Sequence, residues 1–415
     1  MKLEFGYGEG IQEVIVPDEN VIDVLMPNKV EYDMADEKEV KRALENPISS
    51  KRLKDIVKPK EKIAIITSDI TRPMPTKKVM PMLLDELYSA GVDPKDITLV
   101  FALGSHRKHT REEMVKLAGE RAAREINLVD SDMEDCVRLG VTKRGTPVDV
   151  FRLVAEADRR ICLGNIEYHY FAGYSGGAKA IMPGVSTREA IRKNHSLMVE
   201  EGSYAGNLEG NPVREDIEEA ASYCPIDFIL NVVLDEQKKI IKAVSGHPID
   251  AHREGARFLD RLYLKNINQR ADIVLVSQGG TPKDINLYQT QKALDNAKHA
   301  VNKGGTIILI GACNEGLGEK VFEEWMTKSE SPDEMIERIA KDFQLGGHKA
   351  AAISLVLKDA DIYLVSEMEE DFVRSIFLEP FKSAQEAFDT AFKKHGDKAT
   401  VIAMQYGGST LPKAD

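Results

Sequence analysis

The chain has 415 residues, 42% hydrophobic and 30% charged, with a formal net charge of −12. That length suffices for two domains with proper cores, and the acidic balance, with no basic block to offset it, argues against nucleic acid as a partner. The opening MKLEFGYGEG lacks a basic stretch followed by an apolar one, and no apolar run reaches the roughly eighteen residues that cross a bilayer, so a cytoplasmic protein without a membrane partner is expected.

In chain order, residues 1–30 read as a small β section containing Val14, Val16 and Val21. Short β-branched runs then predict buried strands at Lys62–Thr67, Ile97–Ala102, Arg160–Leu163, Asp272–Val276, Thr306–Ile310, Asp361–Val365 and Thr400–Met404. Several are followed by a polar or glycine-rich loop and then a helical pattern, which is the alternation of α/β architecture. After the third run, Pro183-Gly184 marks a turn, and Ser186 with Glu189 reads as a capping box opening a helix. Near Leu264–Arg270 the βα series starts afresh. The expected fold class is therefore α/β, with two domains, Rossmann-like sheets and an active-site cleft between them. The boundaries fall at 1–266 and 267–399, with 400–415 a candidate to return to the first domain.

Four cysteines (Cys136, Cys162, Cys224 and Cys313) form no C-x-x-C pair, which disfavours a disulfide framework and a thiolate zinc site. A soft metal here would need sulfur from elsewhere. No HExxH occurs, and GYGEG at Gly6–Gly10 follows no strand and lacks the full dinucleotide fingerprint.

Ligands of open α/β sheets bind beyond the carboxyl ends of the strands. The polar residues expected there are Asp69 and Arg72 in SDITRP, His106 in GSHRKHT, and His169 and Lys179 in EYHYFAGYSGGAKAIMPG. His195 follows on the helix of the same segment, and Gln289 and Lys292 share a helical face in the second domain. Each has an ordinary structural explanation: a solvated loop lysine, a packed core histidine, a histidine near a helix end, an Asx turn with a surface arginine, a solvated helical face. Lys179 stands out because its neighbours are small and apolar, a setting in which an ammonium loses its proton more easily. The loop is not a Walker A motif, since no Ser or Thr follows the lysine. Three histidines, His106, His169 and His195, fall near one expected cleft in a chain with nine. Arg72 offers a planar fork for a carboxylate.

Taken together, SDITRP, GSHR, EYHYFAGYSGGAKAIMPGVSTRE, the N-H that follows, and GGTPKDINLYQTQKALDNA resemble the nickel-dependent lactate racemase family over essentially the whole chain. The resemblance implies a nickel pincer nucleotide, a pyridinium mononucleotide bearing thioamide and thiocarboxylate groups, bound in the N-terminal domain and joined covalently to Lys179. It implies His195 as the protein ligand of nickel, with sulfurs and a ring carbon of the cofactor completing the plane. That agrees with the absence of a cysteine site, since soft donors suit nickel. His106 and His169 resemble the paired catalytic bases, Arg72, Gln289 and Lys292 the substrate contacts, and Asp69 a supporting residue. The implied reaction is interconversion of D- and L-lactate by proton-coupled hydride transfer, with a small 2-hydroxy acid as substrate and cofactor-maturation proteins as partners. The nearest rival keeps this chemistry on another 2-hydroxy acid or a sugar acid. A nicotinamide-dependent 2-hydroxy acid dehydrogenase is more distant, and a non-catalytic nucleotide- or metal-binding protein could use the same loops.

Overall fold

The computed structural model describes residues 1–28, 31–32, 35–235 and 237–414. The chain divides into two compact units, one formed by Met1–Lys29 with Leu262–Asp415 and the other by Val30–Arg261. It opens with an antiparallel hairpin, β1 (Lys2–Tyr7) and β2 (Gly10–Ile15), and a strand β3 (Val21–Leu25).

Within Val30–Arg261 the strands are β4 (Ile63–Ser68), β5 (Ile97–Ala102), β6 (Asn127–Asp130), a hairpin β7 (Cys136–Val141) and β8 (Pro147–Phe151), β9 (Arg159–Asn165), a short ladder β10 (Tyr168–His169) and β11 (Gly173–Tyr174), β12 (Phe228–Leu234) and β13 (Ile240–Gly246). The main sheet has the order β13-β12-β9-β4-β5-β6. All neighbours are parallel except β12 with β13. Its central strands are buried on both faces, which is why Ile63, Ala64, Ile65 and Ile66 run consecutively apolar. The helix Thr76–Ser89 packs Val79, Leu83 and Leu87 into the same core as Ile65, Leu99 and Ile161.

The chain then continues through β14 (Leu264–Ile267), β15 (Ala271–Ser277), β16 (Val301–Ile310), β17 (Ala360–Val365), β18 (Glu379–Phe381), β19 (Val401–Met404) and β20 (Leu411–Ala414). The second main sheet is wholly parallel, in the order β18-β17-β16-β15-β19-β3. Phe5 and Val14 of the first hairpin join Leu275, Ile308, Val401 and Phe388 in its core.

Strand pairing divides the chain differently from the expected 1–266 and 267–399. The last residues pair with β15 through β19 and with β14 through β20, and the N-terminal segment, expected in the first domain, joins them, because β3 extends the same sheet beside β19. The helix that carries His195, Arg188–Ser196, is also capped one residue later than expected. Thr187 accepts the amide of Ala190, while the Ser186 hydroxyl is committed to the carbonyl of Ile181 at 2.9 Å.

Among the described residues no helix is long and apolar enough to cross a membrane.

Candidate active site

In the sheet of the Val30–Arg261 unit the chain runs from β4 to β5 and β6 on one side, then crosses to β9 and β12 on the other. The strand order therefore reverses between β4 and β9, and a crevice opens at their carboxyl ends. The loop after β4 carries Asp69 and Arg72, the loop after β5 carries His106, and the segment after β9 carries His169 and Lys179.

Asp69 is buried, and its Oδ2 lies 2.6 Å from Nδ1 of His106 while Oδ1 accepts the Thr71 hydroxyl at 2.8 Å. Burial works to raise this carboxyl, but the bond from His106, with help from Thr71 and Arg72, holds it below the usual carboxylate range. An ionised carboxylate only accepts, so in the neutral His106 ring the proton sits on Nδ1 and the lone pair on Nε2. That is the state a general base needs. Behind this pair stands a second one. His109 is packed under the loop against Phe101, its Nδ1 2.6 Å from Asp130, and its Nε2 accepts the backbone N–H of Ile70 at 3.0 Å. It thereby ties down the loop that carries Asp69 and Arg72.

The segment from Tyr168 to Ala180 is folded as the short β10–β11 ladder and then a single helical turn, Gly177–Ala180, that bears Lys179. Tyr168 and Tyr174 both donate their hydroxyls to Oδ1 of Asp260, at 2.8 and 2.6 Å. Gly173 has φ +75°, and a Cβ there would stand 1.9 Å from the carbonyl oxygen of Asn207, so the turn admits glycine alone. The amide of Gly177 donates to Asn231 Oδ1 at 2.8 Å, and the ring of His252, which donates to the Ser175 carbonyl at 2.8 Å, fills the space beside it. The helix Pro212–Tyr223 grips the same segment through its first turn. Asn211 donates to the Phe171 carbonyl, and the fully buried Arg214 donates to the carbonyls of Ala172 and Tyr174. Burial pushes the Arg214 guanidinium down to about 10, and its Nη1 has no hydrogen-bond partner among the described residues.

This framework sets the electrostatics of Lys179. Burial, then the positive charges of Arg214 and Arg72, press its amine well below the ordinary lysine value, in the direction of the neutral, nucleophilic form. His169 is also pushed well below the usual histidine range, first by burial and then by Lys179, His195, Arg72 and Arg214. Its Nδ1 accepts the amide of Ala172 at 3.3 Å, which leaves the neutral ring with its proton on Nε2. The Phe171 ring meets both His169, at 4.5 Å between centroids, and His195, at 4.9 Å. His195 lies in the last turn of its helix, with Nδ1 3.0 Å from Oδ1 of Asn194.

Gln289 and Lys292 belong to the other unit, on the helix Leu287–Ala297. The Gln289 backbone is fixed at both ends, its N–H on Asn286 Oδ1 and its carbonyl on Gln278, both at 3.0 Å, and Lys292 is exposed. Near Lys292 the buried Lys349 lies 4.0 Å over the Tyr288 ring and is pushed down to about 7, by burial first and Lys292 second. Sequence reasoning missed Lys349, His109, Arg214 and Asp260. Of these, only the helix start Asn211-Pro212, two residues before Arg214, left a local trace.

Among the described residues no group of three His, Cys, Asp or Glu side chains is arranged to hold a metal ion. What the crevice offers instead is one half-buried lysine and separate imidazoles. The model of the lactate racemase N-terminal domain matches residues 7–206, and that of the lactate racemase C-terminal domain matches 267–411. The lactate racemase of Thermoanaerobacterium thermosaccharolyticum is 35% identical over 94% of both chains, and that of Lactiplantibacillus plantarum 31% identical over 96% of both. The structure of the T. thermosaccharolyticum lactate racemase apoprotein superposes with a TM-score of 0.86 at 32% identity, covering 100% of each chain. The chain belongs to the lactate racemase family of isomerases.

Proposed function

We propose that this protein interconverts D- and L-lactate in the cytoplasm, using a nickel pincer nucleotide held covalently by Lys179 and ligated through His195. The observation that carries the reading is the half-buried Lys179 on its glycine turn, in a crevice that also holds the Asp69–His106 pair and His169. The residues fit such a group. A thioamide link requires an unprotonated amine, and the only donors asked of the protein are that amine and one imidazole, the metal's soft ligands arriving with the nucleotide. When bound, the group supplies nickel and an adjacent ring carbon able to accept the α-hydrogen of the substrate with its electron pair.

The chain's own residues do the rest. Arg72 pairs with the substrate carboxylate, fixing one end so that the hydroxyl-bearing carbon returns to the same place in either enantiomer. Gln289 and Lys292 are assigned further substrate contacts. A racemase must serve both faces of that carbon, which calls for a proton-handling group on each side. His106 takes a hydroxyl proton at Nε2, and the Asp69 carboxylate stabilises the imidazolium that results. His169 is assigned the matching proton transfer on the opposite face, with the Ala172 amide on its Nδ1 orienting the ring.

The direct test is to produce the protein with its maturation proteins, confirm the adduct by intact mass, and follow pure L-lactate by chiral chromatography. D-lactate should accumulate toward an equal mixture, and Lys179→Ala should lose the adduct. No conversion by adduct-bearing protein would move the substrate to a larger 2-hydroxy acid. With substrate deuterated at the α-carbon, the label should remain in product; washout into water would instead indicate a carbanion route.

A further inference from the structure

Behind His195 runs a line of buried polar groups that no part of the proposed reaction uses. Asn194 is fully buried, and its Nδ2 donates to Oδ2 of Asp216 at 2.7 Å and to the Val213 carbonyl at 3.3 Å. Asp216, on the helix Pro212–Tyr223, is also fully buried and accepts the hydroxyls of Thr142 and Thr146 at 2.5 and 2.7 Å. Its three hydrogen bonds thus come from neutral donors. A carboxylate kept from water on neutral donors is costly to hold, and its position explains what it does. A carboxylate cannot donate, so it selects the NH₂ end of the Asn194 amide, and the carbonyl end must face the other way. That end lies 3.0 Å from Nδ1 of His195. An amide oxygen in turn accepts only, so His195 must carry its proton on Nδ1 and its lone pair on Nε2.

We propose that Asp216, acting through Asn194, is a positioning residue that fixes the tautomer and ring orientation of His195 and so aims Nε2 as a metal ligand. Ligating histidines commonly donate their second ring nitrogen to a carboxylate or carbonyl, which sets the tautomer and strengthens the ligand. Here an asparagine stands between imidazole and carboxylate. The arrangement lets the buried charge polarise the ligand without placing an anion against it. Thr142 and Thr146, either side of the β7–β8 turn, complete the line and hold Asp216 from a different part of the chain. The proposal rests on His195 being the nickel ligand, and the test separates the two ideas.

The first measurement uses the protein without cofactor. Long-range ¹H–¹⁵N correlation of the imidazoles under alkaline conditions, with His195 assigned by His195→Gln, should show the Nδ1–H tautomer alone. In Asp216→Asn and in Asn194→Ala the His195 signals should become a mixture of tautomers, while His252, held on a backbone carbonyl, keeps its own. Nε2–H on wild-type His195, or an unchanged single tautomer in either folded variant, overturns the proposal. The second measurement follows nickel release to a chelator from matured protein. Asp216→Asn should release it about 10–100-fold faster than wild type. Unchanged release in Asp216→Asn, with nickel lost from His195→Ala, overturns the positioning role. Unchanged nickel in His195→Ala overturns the ligand assignment itself and leaves the tautomer result to decide the role of Asp216.

Discussion

At the scale of single residues, the crevice is governed by which nitrogen carries a proton. His106 and His169 are both imidazoles, yet one faces a carboxylate through Nδ1 and the other accepts a backbone amide there. Asp69→Asn leaves the shape nearly intact but removes the charge that favours His106 as an acceptor of protons. Turnover should fall about 10²–10⁴-fold while the adduct mass stays that of wild type. Equal turnover would mean that the pair is structural. Such details were partly open to sequence reading. The residue types and their loops were visible in SDITRP, GSHR and EYHYF, because each sits just past an apolar run. The partners of a buried polar atom were not. Asp130 lies 21 residues from His109, and Asp216 lies 22 residues from Asn194. No local pattern announces a hydrogen bond over that distance.

At the scale of elements, the loop after β4 owes its shape to His109 as much as to its own sequence. His109→Ala would leave the Ile70 amide and the Asp130 carboxylate without this partner. Breaking a buried charged or hydrogen-bonded pair costs about 3–5 kcal/mol, so denaturant melting should show a loss of that order. Matured protein should bind substrate more weakly, since Arg72 shares the loop; an unchanged KM would separate the loop from recognition. The predicted strands coincide with β4, β5, β9, β15, β16, β17 and β19 to within a few residues, because strands buried on both faces are unbroken apolar runs. The β12 segment FILNVVL was harder to read. Its run is broken by Asn231, a polar residue kept in a buried strand to receive the Gly177 amide. The second sheet also reverses its order, between β15 and β19, yet that crevice is taken by the chain itself. Ser277 donates to the Gly6 carbonyl at 2.6 Å, Thr281 to Gly8 at 2.9 Å, and a Cβ on Gly6 would lie 2.3 Å from Gly279. The place where a dinucleotide would lie in a dehydrogenase is filled by the β1–β2 turn.

At the scale of the whole molecule, several histidines are buried neutral, and this shapes the response to acid. Burial is the leading cause in His299 and His348, both pushed down to about 3, and in His169 and His252, both well below the usual range. A histidine depressed in the folded state binds its proton first in the unfolded chain. Stability is therefore full above the unfolded value near 6.5 and drains away as the pH falls toward the folded value. Carboxylates held low, such as Asp69 and Glu39, work in the same direction but only from about pH 4 downward. Between these limits the histidines act without the carboxylates. At about pH 5 each of His299 and His348 should cost about 2 kcal/mol relative to neutral pH. Thermal melts of His348→Gln should accordingly flatten with pH over that interval, and an unaltered slope would mean that the ring is solvated. The two-unit division was legible only as a fresh βα series near Leu264. That the first strands belong with the last ones was not, because parallel pairing of β3 with β19 joins segments at opposite ends of the sequence.

That pairing has a consequence for biosynthesis. A ribosome makes β3 well before β19, with the whole Val30–Arg261 unit in between. The inserted unit is complete and free to fold while the outer sheet still lacks β15 to β19, since domains fold as units during synthesis. For that interval β3 is a strand without its neighbour, and an unpaired strand edge invites wrong partners. The nascent chain thus builds the lysine loop and its histidines early, and closes the sheet of β3 and β15 to β19 only afterwards.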